Sequence, residues 1–121
     1  MNVYELSGAA LDWAVAKCEG IDLFETEGWV YDDDGRRPYR PSTDWAQGGP
    51  IIEREGISVA ADTAGMFDSF VWFASVDDIL VDADEAIGVR GPTPLIAAMR
   101  CYVASKLGEE VEIPDELLEF A

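Results

Sequence analysis

Apolar and polar positions change period several times along this chain, and each change marks an element. Leu11, Ala14, Val15 and Cys18 recur at helical spacing and form one apolar stripe. Ser7 stands where an N-cap would, Leu6 and Leu11 have the spacing of a hydrophobic staple, and Gly20 supplies a stop, so a first helix is predicted over residues 8 to 19. Trp13 lies off the centre of the stripe, which predicts a packing contact at its edge. From Gly28 the period shortens to that of a strand. Trp29-Val30-Tyr31 reads as one, Asp34-Gly35 as a hairpin turn, and residues 36 to 40 as the returning strand, which Pro38 marks as an edge.

Residues 41 to 56, PSTDWAQGGPIIEREG, are denser in signals than any other stretch. Pro41 extends the residue before it, Ser42 or Thr43 then stands as a cap, and Asp44 suits the positive end of a helix. Gly48 and Gly49 disfavour an uninterrupted helix and Pro50 suits the first turn of a new one. The expectation is a short turn, a break, and a second helix from Pro50 to Glu55 that Gly56 ends.

Beyond it, Ile57-Ser58-Val59-Ala60 alternates like a strand and residues 62 to 65 read as a turn. Residues 66 to 76, rich in aromatic and β-branched side chains, read as the central strand. Trp72 and Phe73 then point to opposite faces, so helices must cover both sides or one ring must sit in a groove. Residues 77 to 90 are an acidic excursion with room for a short strand. A long C-terminal helix over residues 94 to 107 has Thr93 as cap, Pro94 at its first position, Lys106 near its far end, Gly108 as stop, and a stripe of Ile96, Met99, Val103 and Leu107. Residues 109 to 121 form an acidic tail, read as a docked helical turn or a partner-binding segment. The sum is one α+β domain over residues 1 to 121, with a small, mainly antiparallel sheet, an N-terminal helix, a central broken helix and the long C-terminal helix.

Charge narrows the functional classes. Twenty-five acidic against eight basic residues give a net charge of −17, a field that repels nucleic acid and anionic membranes. No direct nucleic-acid partner and no membrane partner are expected. No segment approaches the roughly 18 apolar residues of a membrane span, and the N-terminal residues have no basic run ahead of an apolar one, so a cytoplasmic location is expected. The chain has no histidine, which removes the usual general base and the commonest zinc ligand. Cys18 and Cys101 fall on apolar helix faces and are expected as reduced, buried thiols. The aspartates at 32 to 34 lack the spacing of a calcium loop and no ligand geometry is readable at Asp82, Asp84 and Glu85, so neither a metal nor another cofactor is expected.

The candidate site follows from the two helix starts. Each exposes unpaired backbone N–H groups with hydroxyls beside them: Ser42 and Thr43 at one, Thr93 at the other, next to Arg90. Arg36, Arg37 and Arg40 put three of the eight bases within five residues. Trp45 offers a ring for stacking, and Gly48 and Gly49 let a ligand approach backbone. Plain structural roles account for the same residues: capping for Ser42 and Thr93, packing for Trp45, bending for Gly48 and Gly49, and pairing with Asp32, Asp33 and Asp34 for the arginines. Glu53 and Glu55, two apart on a helix, do not face the same way and form no acid and base pair.

Four stretches carry a family resemblance: LSGAALDWAVAKCEG at 6 to 20, YRPSTDWAQGGPIIEREGI at 39 to 57, the strand around Trp72, and GPTPLIAAMRCYVASKLGEEV at 91 to 111. Together they resemble the NinX-type family of small phage proteins, related to the phage ABA sandwich domain. The resemblance implies a phage or prophage gene acting in the cytoplasm of a bacterial host cell, and a compact three-layer α/β sandwich with helices flanking the sheet. It brings no catalytic residues. The functional expectation is a non-enzymatic accessory protein, acting in counter-defence by binding a small nucleotide-like ligand between the helix N-termini. A homodimer is one way to make that pocket locally positive. The alternative is an acidic inhibitor or adaptor that binds a basic surface on a host defence protein, imitating nucleic acid through Asp77, Asp78, Asp82, Asp84 and Glu85.

Overall fold

The structure is a computed structural model of the chain, and it describes residues 1–26, 29–31, 38–62, 71–75, 89–114 and 117. Helix α1 is Gly8–Glu19, α2 is Trp45–Glu55 and α3 is Pro94–Leu107. Strands β1 (Phe24–Thr26) and β2 (Trp29–Tyr31) form one antiparallel pair, and β3 (Ser58–Asp62), β4 (Val71–Ser75) and β5 (Val89–Gly91) form an antiparallel sheet in the order β3-β4-β5. The α+β class read from the sequence is the class observed, with β4 central.

Helix α3 organises the packing. The Thr93 hydroxyl accepts the Ile96 N–H at 3.1 Å, Pro94 opens the helix, and Gly108 closes it. Leu95, Ala97, Ala98, Met99, Cys101, Tyr102 and Val103 are all buried, whereas Leu107 of the expected stripe is 42% exposed and Ile96 half-buried. One stripe suits a helix with one face in water. Here small residues on several sides let neighbours approach around most of the circumference. Gly91 of β5 shows how closely: a Cβ there would lie 2.6 Å from the Ala97 nitrogen.

Register assigns the faces of the sheet. Val59, Ala74 and Val89 align across the three strands, as do Ala61, Trp72 and Gly91, and these positions share the face that meets α3. Phe73 and Arg90 fall on the opposite face, where the Arg90 guanidinium lies 4.9 Å from the Phe73 ring centroid. Phe73 thus has an arginine over its ring on the face away from α3. Among the described residues α3 contacts all three strands and also α1 and α2. Helix α3 therefore joins the small antiparallel sheet to the other two helices.

The central helix is unbroken, contrary to what the glycine pair and Pro50 lead the sequence reading to expect. α2 is continuous from Trp45 to Glu55, with Asp44 as its N-cap and Pro50 inside it. Asp44 Oδ1, rather than a Ser42 or Thr43 hydroxyl, accepts the Ala46 N–H at 3.0 Å. Pro50 removes one helical donor, yet the helical path holds Gly48 tight against Pro41 and Leu95, where no side chain would fit. Gly56 ends the helix at φ 66°, as expected. In α1, Leu6 and Leu11 are both fully buried and Gly20 stops the helix at φ 71°, while the Ser7 side chain makes no capping bond.

β2 pairs with β1, a strand the sequence pattern did not announce, through Phe24↔Tyr31, Glu25↔Val30 and Thr26↔Trp29. On its other edge the returning chain is present: Tyr31 bridges Pro38, and the Tyr39 N–H donates to the Val30 carbonyl at 2.8 Å. The Asp34-Gly35 turn, Arg36 and Arg37, the expected turn at 63 to 65 and the acidic excursion to residue 88 lie outside the described residues. The tail docks on the N-terminus. The Met1 ammonium donates to the Val111 carbonyl, the Val111 N–H returns to Met1, the Val3 N–H reaches the Glu109 carbonyl, and Leu117 is 1% exposed. Among the described residues no helix is long and apolar enough to cross a membrane.

Candidate functional site

A groove of about 850 Å³ opens between the C-terminal end of α1, residues 38–40, and one side of α2. Three local features shape it. Gly20 turns the chain away at the end of α1, so that Ile21 and Asp22 form a rim. Residues 38–44 are folded over the first turn of α2 by Gln47, whose amide donates to the Pro38 carbonyl and to Asp44 Oδ2, both at 3.1 Å, while its oxygen accepts the Arg40 N–H at 3.0 Å. The remaining wall is the side of α2 that carries Gln47, Ile51 and Arg54.

Behind that wall lies a buried acid. Asp12, on α1, is 4% exposed and accepts the Ser42 N–H at 2.8 Å. Burial pushes its carboxyl up to about 6, against the pull of the Ser42 hydroxyl, the Ser42 N–H and the Arg40 guanidinium. The hydroxyl lies close enough to act on the carboxyl, yet Ser42 Oγ itself is buried and makes no hydrogen bond. The Tyr39 phenol is also held above its ordinary value, first by burial and then by Glu19 and Asp12.

At the far end a charge network joins all three helices. Arg54 grips Glu19 through both carboxylate oxygens, at 3.0 and 2.7 Å, and reaches Glu55 at 3.0 Å. Tyr102 donates to Glu19 at 2.6 Å, and Lys106 pairs with Glu55 at 3.2 Å. The Arg54 bonds, more than the opposing burial, hold the Glu19 carboxyl below its usual range. The groove therefore carries Arg40 and Arg54 against Glu19, Asp22 and Asp44, but Arg54 is engaged by carboxylates and Asp44 by its own helix. Among the described residues Arg40 and Asp22 are left without an ion pair.

Of the residues singled out from the sequence, Arg40 lines the groove. Ser42 is 1% exposed behind it; Thr43 is exposed, with its N–H bonded to the Arg40 carbonyl. Trp45 is 54% exposed at the first position of α2 and is not part of the lining. Gly48 is buried against Pro41 and Leu95, whereas a Cβ on Gly49 would meet nothing within 4 Å. Thr93 caps α3 and does not reach the groove. Each helix start is capped from within the chain, α2 by Asp44 and α3 by Thr93, and only the first borders this groove. Sequence reasoning missed Gln47, Arg54, Tyr39, Glu19 and Asp22. Only Gln47 carried a signal, standing three residues after the capping aspartate in the manner of a capping box. Burial pushes the Cys18 thiol up to about 11, which keeps it protonated and a poor nucleophile.

The features so far define a small α+β domain with an open groove of mixed charge. The chain belongs to the family described as Bacteriophage P22, NinX, which matches residues 2–106 and so takes in both sheets, the groove and all but the last residue of α3. No curated protein matches the chain.

Proposed function

We propose that this phage protein is a non-enzymatic accessory factor that binds a small nucleotide-like ligand in the Arg40 groove and thereby acts against host defence. The observation that carries the reading is Arg40 itself. In a chain of charge −17, it is an exposed guanidinium on a groove of ligand size, free of any ion pair among the described residues. Gln47 and Tyr39 beside it offer polar and aromatic surface to a base. The absence of histidine from the chain and the protonated state of Cys18 support binding over catalysis.

Isothermal titration of the full chain with AMP, ATP and a cyclic dinucleotide tests this. One of them should bind with Kd below about 1 mM, and Arg40→Ala should weaken it about tenfold. Absence of heat for all three at low salt would remove the reading.

A second reading rests on Trp45. A tryptophan more than half exposed on the first turn of α2, outside the groove, suits the centre of a protein interface. On this reading the protein is an acidic adaptor for a basic surface of a host protein. Its binding would weaken steeply with salt and be lost in Trp45→Ala while Arg40→Ala retained it.

A further inference from the structure

The groove is lined by three carboxylates, Glu19, Asp22 and Asp44, against two guanidiniums, Arg40 and Arg54. Three of these five groups are committed within the fold. Arg54 and Glu19 hold one another at 2.7 Å, and Asp44 accepts the Ala46 N–H through Oδ1 and the Gln47 amide through Oδ2. Arg40 and Asp22 remain. Both are exposed, and neither side chain has an ion pair or a hydrogen bond among the described residues. They stand on different walls, Asp22 on the rim beyond α1 and Arg40 on the segment folded over the first turn of α2. The same lining includes Ile21, Tyr39 and Ile51, which offer surface to a flat ring and no further charge.

We propose that Asp22 is a specificity-determining residue of the groove, and that the two uncommitted poles together select a nucleoside monophosphate whose base carries an amino group. The inference rests on the small-ligand reading above. Arg40 takes the phosphate through its planar fork of N–H donors. Asp22 takes the base. A carboxylate offers acceptors only, so it receives an exocyclic N–H and repels a carbonyl oxygen in the same place. One phosphate suffices, because a second or third would meet the carboxylates of Glu19 and Asp44 and find no other uncommitted guanidinium in the lining.

Isothermal titration of the full chain at low salt reads the selection. AMP, GMP and CMP carry the amine, and IMP and UMP are their counterparts without it. The best-bound of the first set should exceed its counterpart about tenfold, the scale of one hydrogen bond to a charged group. Asp22→Asn presents an amide that accepts from an amine or donates to a carbonyl, and should bring the pair within about twofold of each other. The fold should survive that change, since Asp22 is exposed and its side chain bonds to none of the described residues. Arg40→Ala should weaken both members alike, and ATP should bind no tighter than AMP. Equal binding of the pair by the unaltered protein, a preference that persists in Asp22→Asn, or a gain of about tenfold from AMP to ATP would overturn the inference and leave the small-ligand reading standing. A cyclic dinucleotide that binds where no monophosphate does would have the same effect. If no nucleotide binds at all, that reading falls and the selection falls with it.

Discussion

Gly48 on α2 faces Leu95 on α3 so closely that a Cβ added to the glycine would lie 2.6 Å from Leu95 Cδ1, with the Pro41 carbonyl oxygen pressed on the same spot. The contact seats α2 on α3 and holds residues 38–44 over the first turn of α2. Gly48→Ala must displace a buried leucine or a backbone carbonyl, and is expected to cost about 1–3 kcal/mol. The neighbouring Gly49 has open space and ordinary helical geometry, so Gly49→Ala should stabilise by up to about 1 kcal/mol through helix propensity alone. Urea unfolding of the two variants side by side measures the difference. Equal midpoints would mean that α2 and α3 are not in this contact.

Asp12 gives stability a pH dependence of definite sign. Its folded-state value, about 6, lies above the ordinary 3.8, so the folded protein holds a proton that the unfolded chain releases. Its contribution is most favourable below about pH 3.8, falls as pH rises through the interval to 6, and above it leaves a penalty on the order of 3 kcal/mol. Asp12→Asn removes that penalty. Unfolding midpoints should show the variant gaining on the unaltered protein as pH rises from 4 to 7, with little difference at the acid end. A gain that is constant across this range would assign the effect to something other than titration.

The Glu19 carboxylate is where α1, α2 and α3 meet, receiving Arg54 and Tyr102. Removing the phenol oxygen with Tyr102→Phe takes away a charge-assisted bond and is expected to cost about 1–2 kcal/mol. The same substitution made on Glu19→Gln should cost less, since the bond is then between neutral partners. A double-mutant cycle should therefore return a coupling of about 1 kcal/mol. Because the Glu19 carboxyl is held low, its contribution is present above the ordinary carboxylate range and is lost as pH falls through it, the opposite sense to Asp12. Purely additive losses would show that the 2.6 Å contact carries no energy of its own.

These elements also show what the sequence makes legible. The ends of α1 and α3 were readable because capping, a proline at the first turn and a left-handed glycine are local chemistry: Gly20 and Thr93 act where the pattern puts them. Gly48 and Gly49 were misread because local propensity ascribes the same role to both. Only tertiary packing separates the glycine that Leu95 needs from the one that touches nothing. β1 had no readable pattern in three residues, and its identity depends on pairing with β2. In the site, Arg40 stood out by charge, while Arg54 is one base among helix residues until the fold brings Glu19 to it, 35 positions away in sequence. The burial of Ser42 and Asp12 is likewise a product of docking between segments 30 residues apart, which no local pattern encodes.

The start of α2 separates the structural cap from the hydroxyls that the sequence offered for the role. Asp44 Oδ1 accepts the Ala46 N–H at 3.0 Å, and its other oxygen accepts from Gln47, so Asp44→Ala removes a helix cap and one anchor of the groove wall together. A cap is worth about 1 kcal/mol, and the partly buried Gln47 bond adds to it, which gives an expected loss of about 1–2 kcal/mol. The exposed Thr43 contributes only its backbone N–H, bonded to the Arg40 carbonyl, so Thr43→Ala should fall within about 0.5 kcal/mol of the unaltered protein. Thermal unfolding distinguishes the two at once. A larger loss for Thr43→Ala than for Asp44→Ala would restore the hydroxyl cap and, with it, a helix that begins earlier and breaks at Gly48.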